Sequence, residues 1–60
     1  MRLKFVFYKS RDGWRWHAKV GRKIVAESGE GYQRYGTCKR TLVRIIQRIE
    51  QGKLDFEKLD

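Results

Sequence analysis

Basic side chains at alternate positions carry the most legible chemistry of this 60-residue chain. In Trp14-Arg15-Trp16-His17-Ala18-Lys19-Val20, apolar residues fall at 14, 16, 18 and 20, with Arg15, His17 and Lys19 between them. Successive strand side chains point to opposite faces, so the spacing predicts one dry face and one cationic face. Arg2 and Lys4 alternate in the same way near the start of the chain, in a row with Val6 and Tyr8. Guanidinium and ammonium groups contact phosphates and guanine edges, and a tyrosine such as Tyr8 stacks or packs beside them. A β-sheet lying in the major groove has precedent. Like charges opposed across strands are unfavourable, and a polyanionic partner would relieve them. The same row also fits the solvated side of an ordinary antiparallel sheet. A third reading is a dimer surface through Val6, Tyr8 and Val25, with the charges as its rim. The alternation leaves these three open.

A second basic group lies where a helix begins. Thr37 is a good N-cap, and Lys39 and Arg40 follow it in what the pattern makes the first turn. The macrodipole disfavours cations there by about 0.3–1 kcal/mol each, and a capping box would place Glu or Gln where Arg40 stands. Free backbone N–H groups with Lys39, Arg40 and nearby Arg34 make an anion or phosphate site. The alternative is exposed charge that the helix tolerates. Catalytic groups are scarce: one histidine and one cysteine. His17 belongs to the cationic row and Cys38 to the apolar side of the helix, so the pattern does not bring them together. Cys38 reads as a small core residue, although a thiol at a helix N-terminus can be acidified. Metal binding needs at least three clustered ligands, which one His and one Cys do not supply. Gly29-Glu30-Gly31 lacks the Gly-Lys-Ser/Thr of a phosphate loop and reads as a strand-to-helix connection. The expectation is a non-enzymatic domain with no catalytic residue, no metal and no cofactor.

Charge supports an anionic partner. Fifteen Lys and Arg oppose seven Asp and Glu, a formal +8. Residues 1–49 hold 13 basic and 3 acidic side chains, or +10; residues 50–60 hold 2 basic and 4 acidic, or −2. Such a domain attracts nucleic acid, an acidic protein surface or anionic lipid, and surplus charge also serves plain solubility. Sixty residues make one domain, and chains this short bury only roughly 60% of their unfolded surface. With no internal disulfide available to the lone Cys38, a homodimer is expected. The lone cysteine favours a reducing compartment. No apolar run approaches the ~20 residues of a membrane span, and the N-terminus is too charged for a signal peptide. These features predict a cytoplasmic protein without membrane contact.

The elements that position these residues follow from changes of period. Residues 2–9 alternate, with Leu3, Phe5 and Phe7 in a core row. Ser10-Arg11-Asp12-Gly13 is a turn, the 14–20 strand follows, and Gly21-Arg22 is a second tight turn. Lys23–Ser28 is a third, shorter strand whose inward row is unsettled, because Val25 is as apolar as Ile24. Three glycines between 29 and 36 require a loop, and Tyr32 and Tyr35 pin it to the core. From Cys38 the period is helical: Cys38, Leu42, Ile45, Ile46 and Ile49 share a face, and Gly52 stops the helix after about 14 residues. The fold class is α+β, a three-stranded antiparallel β-meander packed on one C-terminal helix (β-β-β-α) over residues 1–52. Residues 53–60 form a short acidic tail, either an extra turn, a strand added to a neighbour, or frayed.

Phe5-Val6-Phe7-Tyr8-Lys9, Asp12-Gly13-Trp14-Arg15-Trp16, Ile24-Val25-Ala26-Glu27-Ser28, Glu30-Gly31-Tyr32 and the helix from Thr37 together resemble the small YegP-like domain family. The resemblance covers about residues 3–48. It implies a β-β-β-α unit, found in tandem or as self-associating single units, and it implies no catalytic residues. The chain departs from the pattern at Gly21-Arg22, where Asn-Gly is typical, and at Arg40-Thr41, where a small Asn-Gly pair is usual. The topology and charge are also similar to the arm-site DNA-binding domains of tyrosine recombinases, which lay an open sheet face in the major groove; this likeness is architectural.

The leading expectation is a small basic domain binding duplex DNA through the exposed sheet face and the helix start. Its contact residues are Arg2, Lys4, Tyr8, Arg15, His17, Lys19, Arg34, Lys39 and Arg40. The alternative is a homodimeric protein-binding regulator or inhibitor, of a kind that mobile elements encode, whose basic face docks an acidic protein surface.

Overall fold

The computed structural model describes residues 2–59. Three strands, β1 (Leu3–Ser10), β2 (Gly13–Val20) and β3 (Lys23–Glu27), precede one helix, α1 (Tyr35–Glu50). The sheet is antiparallel in the order β1-β2-β3, which is the expected meander and leaves β1 and β3 as edges. The register fixes the faces. Phe5 opposes Ala18 and Phe7 opposes Trp16 on the side that meets α1; Lys4 opposes Lys19, Val6 opposes His17 and Tyr8 opposes Arg15 on the other. Directly opposed residues share a face, so both tryptophans point toward the helix.

An aromatic cluster ties the helix to the sheet. Tyr35 meets Phe7 and Trp14 edge-on, with ring centroids 5.3 and 5.4 Å apart, and Phe5 meets Trp16 at 5.8 Å. These are the separations and tilts that aromatic quadrupoles favour. Beneath them Ala18, Cys38 and Leu42 are buried, and the helix packs chiefly on β2.

The connecting loop folds back on the sheet. Tyr32 and Trp14 exchange backbone hydrogen bonds of 2.6 and 2.9 Å, a single bridge that adds the loop to β2. Gly13, at φ 120°, lies against the Tyr32 backbone so closely that a Cβ there would strike the Tyr32 carbonyl. Positive φ and close approach both require glycine at this position.

The helix begins earlier than the cap pattern predicts. Arg34 is the N-cap, with extended φ and ψ and no side-chain cap, and Thr37 lies inside the first turn. Packing of Tyr35 on Phe7 and Trp14 outweighs the cap preference of Thr37. Lys39 and Arg40 therefore sit past the first turn, and no acidic residue occupies it. At the other end Gly52 takes φ 73°. The Lys53 N–H donates to the Arg48 carbonyl and the Gly52 N–H to Ile49, the paired bonds of a Schellman stop.

Two further expectations change. The third strand ends at Glu27, and a bulge interrupts its register: Ala26 faces Ala18 but Ile24 faces Lys19, leaving Val25 as the extra residue. Strict alternation fails there, which is why composition did not assign an inward row. On the helix, Cys38 and Leu42 are buried and Ile46 is half-buried, but Ile45 and Ile49 are exposed at 46% and 55% although they share the apolar side. The sheet carries too little covering surface for the last two turns. Residues 53–59 form neither helix nor strand and are exposed.

Candidate nucleic-acid interface

The side of the sheet away from α1 carries most of the cations that the alternation singled out. Lys4 on β1 and Lys19 on β2 stand directly opposite one another, and Arg2 precedes Lys4 in the same row. Across the second gap Ile24 completes the row beside Lys19, and Glu27 faces His17. Lys4 and Arg2 are exposed; Lys19, His17 and Tyr8 are half-buried. The Tyr8 and His17 rings lie 5.3 Å apart at a 40° tilt. They form a tilted aromatic pair on the same face of the sheet as the two lysines.

Arg15 belongs to this row by position but its charge is occupied. Its Nε donates to Asp12 Oδ1 at 3.1 Å, one terminal nitrogen reaches Asp12 Oδ2, and the other donates to the Ser28 carbonyl at 3.2 Å. Bidentate pairing of this kind is the strongest carboxylate geometry an arginine makes. The hydrogen bond from Arg15, with a second from the Ser10 hydroxyl, holds the Asp12 carboxyl well below the usual carboxylate range. The Asp12 carboxylate in turn raises the Arg15 guanidinium. Among the described residues this is the one ion pair.

Arg15 thus joins the first turn to the segment after β3, where Ser28 is itself built in. The Ser28 N–H donates to the Trp16 carbonyl at 2.9 Å, and its hydroxyl accepts from the Trp16 N–H at 3.2 Å. The spacing Asp12-x-x-Arg15 was present in the sequence, but the Ser28 partner is thirteen residues away and leaves no local signal.

The helix-start group does not converge. Arg34 lines a shallow cleft with Glu30, Gly31, Tyr32, Gln33 and Thr37. Glu30 brings a carboxylate to the same cleft, which opposes an anion there. Burial first, then Glu30, pushes the Tyr32 phenol up. Lys39 and Arg40 are neighbours in sequence and so diverge by about 100° around the helix. Arg40 instead lines up with Arg44 and Arg48, at i, i+4 and i+8, as an exposed arginine stripe about 12 Å long on the outer side of α1. That stripe is legible from spacing alone once the apolar side of the helix is known.

Cys38 is fully buried, and burial pushes its thiol up, away from a reactive thiolate. It lies under the sheet while His17 lies on the far face. Among the described residues no three metal-ligating side chains cluster, and no helix is long and apolar enough to cross a membrane. No protein-family model, curated protein or solved structure matches the chain.

Proposed function

We propose that this chain is a non-enzymatic nucleic-acid-binding domain that engages duplex DNA through the open face of its sheet. The observation that carries the reading is the direct opposition of Lys4 and Lys19, with Arg2 beside them. Two ammonium groups held across a strand pair repel each other in the free protein, and a phosphate between them turns that cost into attraction. Tyr8 and His17 supply a stacking or packing surface next to the cations. Arg15 acts indirectly, by holding the turn at Asp12. Arg40, Arg44 and Arg48 raise the positive field that steers a polyanion toward the molecule. The likeness to YegP-like domains supplies no chemical role, so charge and register carry the proposal.

The test is direct. The purified chain should retard both a duplex and a matched single strand at ~50 mM salt, the duplex more strongly, with affinity falling steeply as salt rises. Absence of any shift under those conditions overturns the reading. A second reading, a homodimeric protein-binding regulator, is favoured by one specific observation: Leu3, Ile45 and Ile49 are apolar and about half exposed. Binding to an acidic protein with no affinity for nucleic acid would favour it.

A further inference from the structure

The outer side of α1 is a second cationic face, and it looks away from the first. Arg40, Arg44 and Arg48 stand two residues past Cys38, Leu42 and Ile46 in turn, the buried and half-buried row of the helix. Two residues turn a helix by about 200°, so each arginine points about 160° away from that row. All three are exposed, and among the described residues none is ion-paired. The polar side chains around them, Thr37, Gln47 and Gln51, are exposed and can all donate hydrogen bonds. The acidic residue of α1, Glu50, stands two residues past Arg48 and therefore on another side. Like charges at i, i+4 destabilise a free helix, so the stripe is unfavourable until an anion meets it.

We propose that this stripe takes the phosphate backbone of a second duplex, so that one molecule bridges two segments of DNA. The inference rests on the reading of the sheet face as the first DNA contact. The chemistry of the stripe selects phosphate: the arginine fork pairs phosphate oxygens bidentately, and amides and hydroxyls donate to them as well. A protein interface would need an apolar centre, and no apolar residue lies among these arginines. One strand of a duplex carries a phosphate every ~3.4 Å of its axis, so about three phosphates lie along the stripe. The two faces cannot share one duplex, because they lie on opposite sides of a molecule measuring 31 × 28 × 25 Å. The persistence length of DNA, about 50 nm, is many times that size, so a duplex seated on the sheet face continues straight past the helix. Three arginines on one convex surface reach a single strand and hold it weakly. Chains seated along a long duplex present many stripes at once, and avidity then secures the second duplex.

A capture experiment with the full chain tests this. A long duplex fixed to beads is coated with protein at ~50 mM salt, washed, and offered a second, labelled duplex. Bead-bound protein and retained label are both measured. The parent should coat the beads and retain the label. Arg44→Gln with Arg48→Gln should coat the beads nearly as well, keep its circular dichroism spectrum, and retain less label by about 10-fold or more. Arg11→Gln with Arg22→Gln removes the same charge from the two exposed turns and should retain as much label as the parent. A parent that coats the beads but retains no label overturns the bridge and leaves the sheet face standing; a parent that does not coat them overturns both. Equal retention by the Arg44 and Arg48 variant puts the bridge elsewhere and overturns the proposal. So does an equal loss in the Arg11 and Arg22 variant, which would make net charge the cause. Retention of labelled polyglutamate in preference to the duplex would assign the stripe to an acidic protein and overturn it too.

Discussion

The two ends of the β1–β2 hairpin are built for different work. At the turn end, Trp14 is bridged to Tyr32, Tyr35 packs on Phe7 and Trp14, and Arg15 links Asp12 to Ser28. Loop, turn and helix start all meet there. At the other end Lys4 opposes Lys19, Leu3 is half exposed, and the neighbouring β3 presents Ile24 and Val25 to solvent. The helix repeats the contrast along its length, buried at Cys38 and Leu42 and exposed at Ile45 and Ile49. A chain of this size has too little apolar surface to secure both ends. Concentrating the packing at one end leaves charge and apolar surface exposed at the other.

The largest effects should mark the packed end. Leu42→Ala should cost about 2–5 kcal/mol, and Gly13→Ala about 2–4 kcal/mol from backbone strain and the forced shift of Tyr32. Ile49→Ala should stay within about 0.5 kcal/mol. Urea denaturation of the three variants checks this. Equal losses at Leu42 and Ile49 would erase the contrast.

A smaller effect is confined to acid. The folded Asp12 carboxyl lies below its ordinary value of 3.8, so the unfolded chain takes up the proton first. The contribution of Asp12 is fully present above that ordinary value. It begins to fall near pH 4 and is lost as the pH drops through the folded value. Asp12→Asn should therefore weaken the fold at neutral pH and flatten the acid limb below pH ~4. A thermal melt series across pH 2–7 reads both changes, and an unchanged acid limb would show that the Arg15 pair does not hold the turn.

Much of this contrast was legible before the structure. Alternation at 14–20 and 2–9 specified two strands and their faces, and Gly13, Gly21 and Gly52 marked the turns and the helix stop. Three things were not. The bulge at Val25 depends on how β3 meets Ala18 and Lys19, and no property of Ile24-Val25-Ala26 alone reveals it. The helix start moved because Tyr35 is recruited by side chains twenty or more residues away, which a local cap rule does not weigh. Arg15 looked equivalent to Lys19 in the cationic row, yet its guanidinium is committed to Asp12 and Ser28. For the candidate site this last difference matters most, because Arg15 is paired with Asp12 and Ser28 whereas Lys4 and Lys19 oppose one another.

The open end yields smaller stability effects of opposite sign. Lys19→Glu replaces a repulsive opposition with an attractive one and should stabilise the fold by about 0.2–1 kcal/mol. Arg44→Glu removes two like-charged i, i+4 neighbours, Arg40 and Arg48, and should add about 0.2–0.5 kcal/mol for each. Thermal melts at low salt detect both. Destabilisation by Lys19→Glu would mean the lysine pair is no source of strain.

Fluorescence anisotropy of a labelled DNA duplex, titrated at several salt concentrations, tests the central claim most directly. Parent protein should bind with a log–log salt slope of about −0.9 for each phosphate neutralised. Lys4→Glu combined with Lys19→Glu should abolish binding with no loss of thermal stability, while Arg44→Glu keeps most of the affinity. Parent-like binding by the double variant, or no binding by the parent at ~50 mM salt, would contradict the assignment of the sheet face as the nucleic-acid contact.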